Sequence, residues 1–339
     1  MAVTNHIAVI GAGAWGTTLA KHLVQKGLPA RLWAYEREVV DAINSGHENS
    51  RFLPGVKLPA SLRVTLSLAE ATENCDAIVC AVPSHVARSI LRQLAPIIPA
   101  RAPIISATKG IEEDTLNLMT DVMADVLPSE FHASLMVLSG PSFATEVSRG
   151  RPSALCLAGK DPATVMRFQS ILMTSSLRVY ADHDVIGVQL GGALKNVMAL
   201  AAGVVDGLEL GHNTRAALIT RGLAEMVRLG VAMGADARTF YGLSGVGDLV
   251  LTCTGALSRN HMVGMRLGQG ERLEAILEGM HAVAEGVRTA RAAQGLAVRH
   301  RVEMPIVHEI NAVLFEGKSC RRAVTDLMER EAKTEKGLA

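Results

Sequence analysis

Apolar positions follow two rhythms along the chain, and the change comes near Asp184. Before it, short continuous apolar runs recur: Ile7-Ala8-Val9-Ile10, Ala30-Arg31-Leu32-Trp33, Ala77 to Val82 (stopped by Pro83), Pro103 to Ala107, and Leu135 to Leu138. Runs that do not alternate with polar residues are what strands covered on both faces look like. Turns and stretches of helical period separate them, and strands alternating with helices predict a parallel, doubly wound sheet. Ala154 to Leu157 and Leu177 to Tyr180 are expected to add edge strands. After Asp184 the apolar spacing is helical throughout. Helices are predicted over 187–205, 214–233, 237–243, 259–267, 272–280 and 289–296, continuing toward Arg330, with a charged tail beyond that frays.

The 339 residues are enough for two domains. No Pro/Gly/Ser-rich linker divides them, so the join is expected to be a helix and the cleft between them the ligand site. Lys plus Arg number 34 and Asp plus Glu 33, a formal charge of +1. That balance argues against nucleic acid and against a membrane surface as partner. Aromatics at 3% are too few for a base-stacking platform, and 49% hydrophobic residues exclude intrinsic disorder. Cys75, Cys80, Cys156, Cys253 and Cys320 are scattered with no Cys-x-x-Cys pair, which speaks for a reducing compartment and against a zinc site. The start lacks a secretory pattern and no apolar run is long enough to insert in a membrane, so a cytoplasmic protein is expected.

Gly11-Ala12-Gly13-Ala14-Trp15-Gly16 follows the first strand and opens a helix. In a dinucleotide-binding turn the first glycine permits the tight bend. The second lets a diphosphate approach the backbone, and the third lets helix and strand pack closely. The helix start then favours the anion. The expected fold class is thus α/β, with an N-terminal Rossmann-type doubly wound sheet binding NAD(P) over 1–185. An all-α C-terminal domain, carrying substrate binding and catalysis, follows over 186–335. Glu36, just past the second strand, stands where a ribose-binding carboxylate favours NAD. Arg37 beside it is suited to a 2′-phosphate, so NAD or NADP stays open.

Ligands of such sheets bind at the carboxyl ends of the strands. Val82-Pro83-Ser84-His85, Thr108-Lys109-Gly110 and Ser139-Gly140-Pro141-Ser142 occupy three of those ends. Lys109 reads either as a solvated loop lysine or as an ammonium aimed at a substrate anion or carbonyl. His85 reads as a base or as a capping residue. In the helical half, Gly191-Gly192 costs roughly 1 kcal/mol per glycine relative to alanine. That cost suggests a close approach to the helix, for which a nicotinamide ring or a substrate would serve. Lys195 lies one turn on, on the face of Gly191. Desolvated, it is a general acid or base; on the surface it would only snorkel. Asp248 is placed either to pair with Lys195 or to cap a helix. Ser258-Arg259-Asn260 opens a helix with a hydroxyl, a guanidinium and an amide, as a plain cap or as an anion site.

These stretches together, with Ile186–Asn196 and Leu243–Thr254, resemble the bacterial NAD(P)-dependent glycerol-3-phosphate dehydrogenases over nearly the whole chain. The resemblance implies reversible reduction of dihydroxyacetone phosphate to sn-glycerol 3-phosphate, feeding glycerophospholipid synthesis. It implies Lys195 as the proton donor and acceptor, and Lys109 in contact with substrate and cofactor. Gly140, Ser142, Asp248, Ser258, Arg259 and Asn260 would line the substrate site, with Arg259 also reaching the cofactor. Ala14, Trp15, Tyr35, Ala144, Val283 and Glu285 fall at nucleotide-contacting positions. Position 14 is often serine and position 35 often basic in the family; alanine and tyrosine here remove a hydroxyl contact to phosphate and weaken the case for strong NADP preference. Two other readings share the nucleotide turn: a keto-acid or hydroxy-acid reductase, whose substrates carry carboxylate in place of phosphate, and a non-catalytic NAD(H) sensor, which needs neither lysine nor Asp248. The apolar helical half also predicts a homodimer.

Overall fold

The computed structural model describes residues 5–100, 102–280, 284–332, 334 and 335. Residue 333 and residues 336–339 of the charged tail lie outside the described residues. The chain divides into two compact units, Met1–Lys109 with Met119–Val185, and Gly110–Leu118 with Ile186–Ala339.

The first unit is built on one 8-stranded sheet in the order β3-β2-β1-β4-β5-β6-β7-β8. The strands are β1 (Ile7–Ile10), β2 (Ala30–Trp33), β3 (Arg63–Thr65), β4 (Ala77–Cys80), β5 (Ile104–Ser106), β6 (Leu135–Ser139), β7 (Ser153–Gly159) and β8 (Leu177–Asp182). Its helices are α1 (Ala14–Gln25), α2 (Arg37–Gly46), α3 (Leu68–Thr72), α4 (Ser84–Leu94), α5 (Met119–Val126), α6 (Ala144–Ser148) and α7 (Pro162–Leu172). The continuous apolar runs are explained by two cores. Ile7 and Val9 join Leu19, Leu23 and Phe168 on one face. Ala8 and Ile10 join Leu91, Met123 and Phe131 on the other.

Two expectations need correction. The sheet is mixed, because β7 runs antiparallel to β6 with Met136 opposite Gly159 and Ser139 opposite Cys156. Moreover β7 is an interior strand, since β8 pairs with it in parallel and takes the edge. The other edge is β3, paired with β2, which no apolar run announces.

The second unit is helical: α8 (Val185–Gly207), α9 (Gly211–Ala232), α10 (Asp248–Thr254), α11 (Arg259–Gly268), α12 (Leu273–Glu278), α13 (Glu285–His300), α14 (Pro305–Phe315) and α15 (Cys320–Met328). The expected helix 237–243 is instead a 3₁₀ turn, Ala237–Tyr241, followed by a π turn, Leu243–Gly247. Helix α8 is apolar all round because it is the core element: Leu190, Leu194, Val197, Met198 and Leu200 are fully buried. It is long and apolar enough to cross a bilayer, but its most apolar stretch is almost wholly buried.

Glycines set how closely α11 packs on α8. A Cβ at Gly203 would lie 2.0 Å from His261 O, one at Gly207 2.2 Å from Met265 O, and one at Gly264 2.0 Å from Leu200 O. Backbone meets backbone along this crossing. The nine-residue excursion 110–118 belongs to this unit rather than to the sheet. Ile111 and Leu118 enter the helical core, and Glu113 bonds Arg288 of α13 at 3.0 Å.

Candidate active site

The glycine turn separates the demands of the chain from those of a ligand. Gly11 has φ +110°, and a Cβ there would lie 2.9 Å from the Ala81 backbone. A Cβ at Gly16 would lie 1.8 Å from Gly11 O. These two glycines are required by the fold itself. At Gly13 a Cβ would meet nothing within 4 Å, so the space above it is open. Helix α1 begins there with no side-chain cap and no acidic residue in its first turn. Uncapped N–H groups beside open space, at the positive end of a helix, suit a diphosphate.

Gly11 N donates to Trp33 O at 3.1 Å, which ties the turn to the end of β2. Tyr35 follows, 78% exposed and edge-on to Trp33. Glu36 is the backbone N-cap of α2, makes no side-chain cap bond, and is half-buried; Arg37 is exposed. Carboxylate and guanidinium are thus adjacent at one strand end. The Thr18 hydroxyl bonds Ala14 O at 2.8 Å and lies 3.2 Å from Ala144 O, so Ala144 belongs beside the turn. Trp15 is half-buried on α1.

Three strand-end residues converge. Lys109 Nζ donates to Gly140 O at 2.9 Å, and Ser142 Oγ donates to the same oxygen at 2.9 Å. Gly140 takes φ +132° and packs on Leu155, a bend that a side chain would resist. Thr108 Oγ1 donates to Val82 O at 2.7 Å, joining the loops after β4 and β5. His85 is exposed on the first turn of α4.

In the helical unit, Lys195 Nζ donates to Asp248 Oδ1 at 2.6 Å and to Thr252 Oγ1 at 2.8 Å. Asp248 starts α10 and is fully buried, so of the two roles open to it the structure has it pairing with Lys195. Thr252 had no place among the candidates; its signal is the spacing Asp248-x-x-x-Thr252, which stacks the two on one helix face. The close approach at Gly191 also differs from expectation. A Cβ there would lie 2.3 Å from Ser244 O, so the glycine admits the chain's own π turn rather than a ligand.

Ser258 caps α11 by accepting from His261 N at 3.2 Å. Arg259 is exposed on the first turn beside it. Asn260 Nδ2 donates to Asn196 Oδ1 at 3.0 Å, and Asn260 Oδ1 accepts from Gly286 N at 2.9 Å. One amide thus ties α8, α11 and α13 together, one residue along from Lys195. Glu285 is the first residue of α13. Val283 lies outside the described residues.

The family model for the N-terminus of NAD-dependent glycerol-3-phosphate dehydrogenase matches residues 6–165, and the model for its C-terminus matches 184–325. The chain belongs to this dehydrogenase family. A Geobacter sulfurreducens relative named glycerol-3-phosphate dehydrogenase, NAD(P)+, is 54% identical over 334 residues, covering 98% of this chain and 100% of its own. A relative of the same name from Myxococcus xanthus is 50% identical over 328 residues, 97% of this chain and 98% of its own. The crystal structure of glycerol-3-phosphate dehydrogenase from Coxiella burnetii superposes with a TM-score of 0.91 at 38% identity, over 96% of this chain and 98% of that one. Membership carries the class of chemistry with it, an oxidoreductase working with NAD or NADP. It also accounts for the sheet followed by a helical unit, the architecture of the Coxiella enzyme.

Proposed function

We propose that this dehydrogenase reversibly reduces dihydroxyacetone phosphate to sn-glycerol 3-phosphate, in the cytoplasm, as the supply step for glycerophospholipid synthesis. The observation that carries the residue assignment is the buried Lys195–Asp248–Thr252 cluster. An ammonium held by a carboxylate and a hydroxyl, shut away from water, is an oriented proton donor.

Gly11, Gly13, Ala14, Trp15 and Gly16 hold the nucleotide, with Tyr35, Glu36, Ala144 and Glu285 contributing further contacts. Bound NADH or NADPH supplies the hydride for the ketone carbon. Lys195 Nζ gives its proton to the developing alkoxide and takes it back in the oxidative direction; Asp248 and Thr252 hold Nζ in place. Lys109 stabilises negative charge on the same oxygen and contacts the cofactor. Gly140 and Ser142 line the substrate site. Ser258, Arg259 and Asn260 grip the phosphate, so that its binding energy orients the carbonyl. Arg259 also reaches the cofactor. The helical unit is the surface through which a homodimer forms.

The test is absorbance at the nicotinamide band when protein is mixed with dihydroxyacetone phosphate and either NADH or NADPH. Loss of absorbance supports the reading, and the ratio of the two rates decides which of Glu36 and Arg37 governs cofactor choice. No loss with either cofactor, in protein that binds one, overturns it in favour of a carboxylate-bearing keto acid as substrate.

A further inference from the structure

A second polar cluster lies beside the anion-binding turn, and no step above uses it. Asp206, on the last turn of α8, accepts through a single oxygen, Oδ2, from His261 Nε2 at 2.7 Å and from Arg215 Nη1 at 2.8 Å. Arg215 Nη2 in turn contacts His212 Nδ1 at 2.8 Å on α9. The side chains of Asp206, His261 and Arg215 are only 22%, 13% and 23% exposed. Bonds to a carboxylate so shielded are stronger than surface pairs.

His261 is a member of both structures. Its backbone N–H satisfies the Ser258 cap, while its ring is fastened to Asp206. The first turn of α11 is therefore held at two points. Asn260 ties it to Asn196, and His261 ties it to the last turn of α8 across the glycine crossing. We propose that Asp206 is a positioning residue for the substrate phosphate, acting through His261 on the turn Ser258-Arg259-Asn260. The inference rests on the reading that this turn grips the phosphate. Arg215 donates to the same Oδ2 and holds the carboxylate in place beside the ring. A charged grip is sensitive to small displacements of its donors, so a loosened turn weakens phosphate binding before it affects the proton transfer at Lys195.

The experiment compares Asp206→Asn, His261→Ala and His261→Gln with Arg259→Ala. The readouts are KM for dihydroxyacetone phosphate, kcat, the inhibition constant of inorganic phosphate, and NADH affinity. Asp206→Asn keeps the shape but removes the charge that both donors share. Expected for Asp206→Asn and His261→Ala is a rise of about tenfold in KM, matched by the phosphate inhibition constant. In both variants kcat and NADH affinity stay within about twofold. His261→Gln offers an amide donor where Nε2 stood and restores much of the loss. A general structural role would lower kcat and stability together without moving the phosphate inhibition constant. Unchanged KM and phosphate inhibition in Asp206→Asn and His261→Ala, with both raised in Arg259→Ala, overturn the inference alone. If Arg259→Ala also leaves both unchanged, the phosphate reading of the turn falls with it.

Discussion

Lys195 Nζ and Asp248 Oδ1 lie 2.6 Å apart, with 8% and 0% of their side chains open to solvent. The two residues come from different helices, α8 and α10, 53 positions apart in the chain. Each satisfies a charge that the interior would otherwise not tolerate. Removing one partner of such a pair costs about 3–5 kcal/mol, because the other is left buried and uncompensated.

Lys195→Ala is therefore expected to do two separable things. Turnover falls by several orders of magnitude, and the melting temperature drops as Asp248 loses its counter-charge. Pairing it with Asp248→Ala removes the stranded carboxylate. The double variant should regain a large part of the lost stability while remaining inactive. Thermal melts and single-turnover kinetics on the three proteins check this. A single variant as stable as the native protein would mean that Asp248 finds another cation, and a double variant that recovers activity would remove Lys195 from the chemistry.

The glycines of the α8–α11 crossing give a sharper stability test. At Gly264 a Cβ would sit 2.0 Å from Leu200 O, against backbone that has no rotamer to change. Gly264→Ala must push the helices apart, with an expected loss of about 2–3 kcal/mol. The displacement should also raise KM for the phosphorylated substrate, because Ser258, Arg259 and Asn260 move with α11. Gly46→Ala, at the end of α2 where a Cβ meets nothing within 4 Å, is the control and should be neutral or stabilising by up to about 1 kcal/mol. Equal stability for the two variants would show that the crossing yields easily.

In the proposed phosphate grip, Arg259 supplies the guanidinium. Losing a hydrogen bond to a charged group weakens binding by about ten- to hundredfold. Arg259→Ala is expected to raise KM for dihydroxyacetone phosphate by that factor and to leave kcat largely intact, since Lys195 is untouched. Steady-state kinetics read this directly. An unchanged KM would move the phosphate site elsewhere.

Strands buried on both faces were legible because their composition leaves no alternative: Ile7 to Ile10 and Ala77 to Cys80 are apolar at every position and feed two cores at once. The strand Arg63-Val64-Thr65 was not, since only Val64 is buried and the segment exists by pairing with β2. The reversed direction of β7 leaves no mark in an apolar run, whose pattern is the same either way. At the candidate site, single residues stood out by type and by neighbouring glycines. Their pairings did not, because Lys195–Asp248, Asn196–Asn260 and Asp206–His261 each join distant stretches of chain. Gly191 shows the limit from the other side: a helix glycine signals that something approaches, but not whether that is a ligand or Ser244.

Glu225 makes stability depend on pH. It lies on α9, 1% exposed, and accepts from Ile306 N at 2.7 Å and Val307 N at 3.3 Å at the start of α14. Burial raises its pKa from 4.5 to about 7, against the opposing pull of those two N–H groups and of Arg228. A carboxyl whose pKa is raised by folding is protonated in the native state at pH values where the unfolded chain has already lost the proton. Its folded form is therefore unpenalised below about pH 4.5 and loses stability as pH climbs through about 7. The full span of that loss is on the order of 3 kcal/mol. Glu225→Gln cannot ionise; its single carbonyl oxygen accepts from one of the two N–H groups, and its NH2 faces the other, a loss that does not depend on pH. Measured by chemical denaturation, the stability of the variant relative to the native protein should rise steadily from about pH 4.5 to pH 8, on top of a constant offset from the lost acceptor. A margin that stays constant with pH would place the ionised carboxylate comfortably at the helix start and remove Glu225 as the source of the dependence.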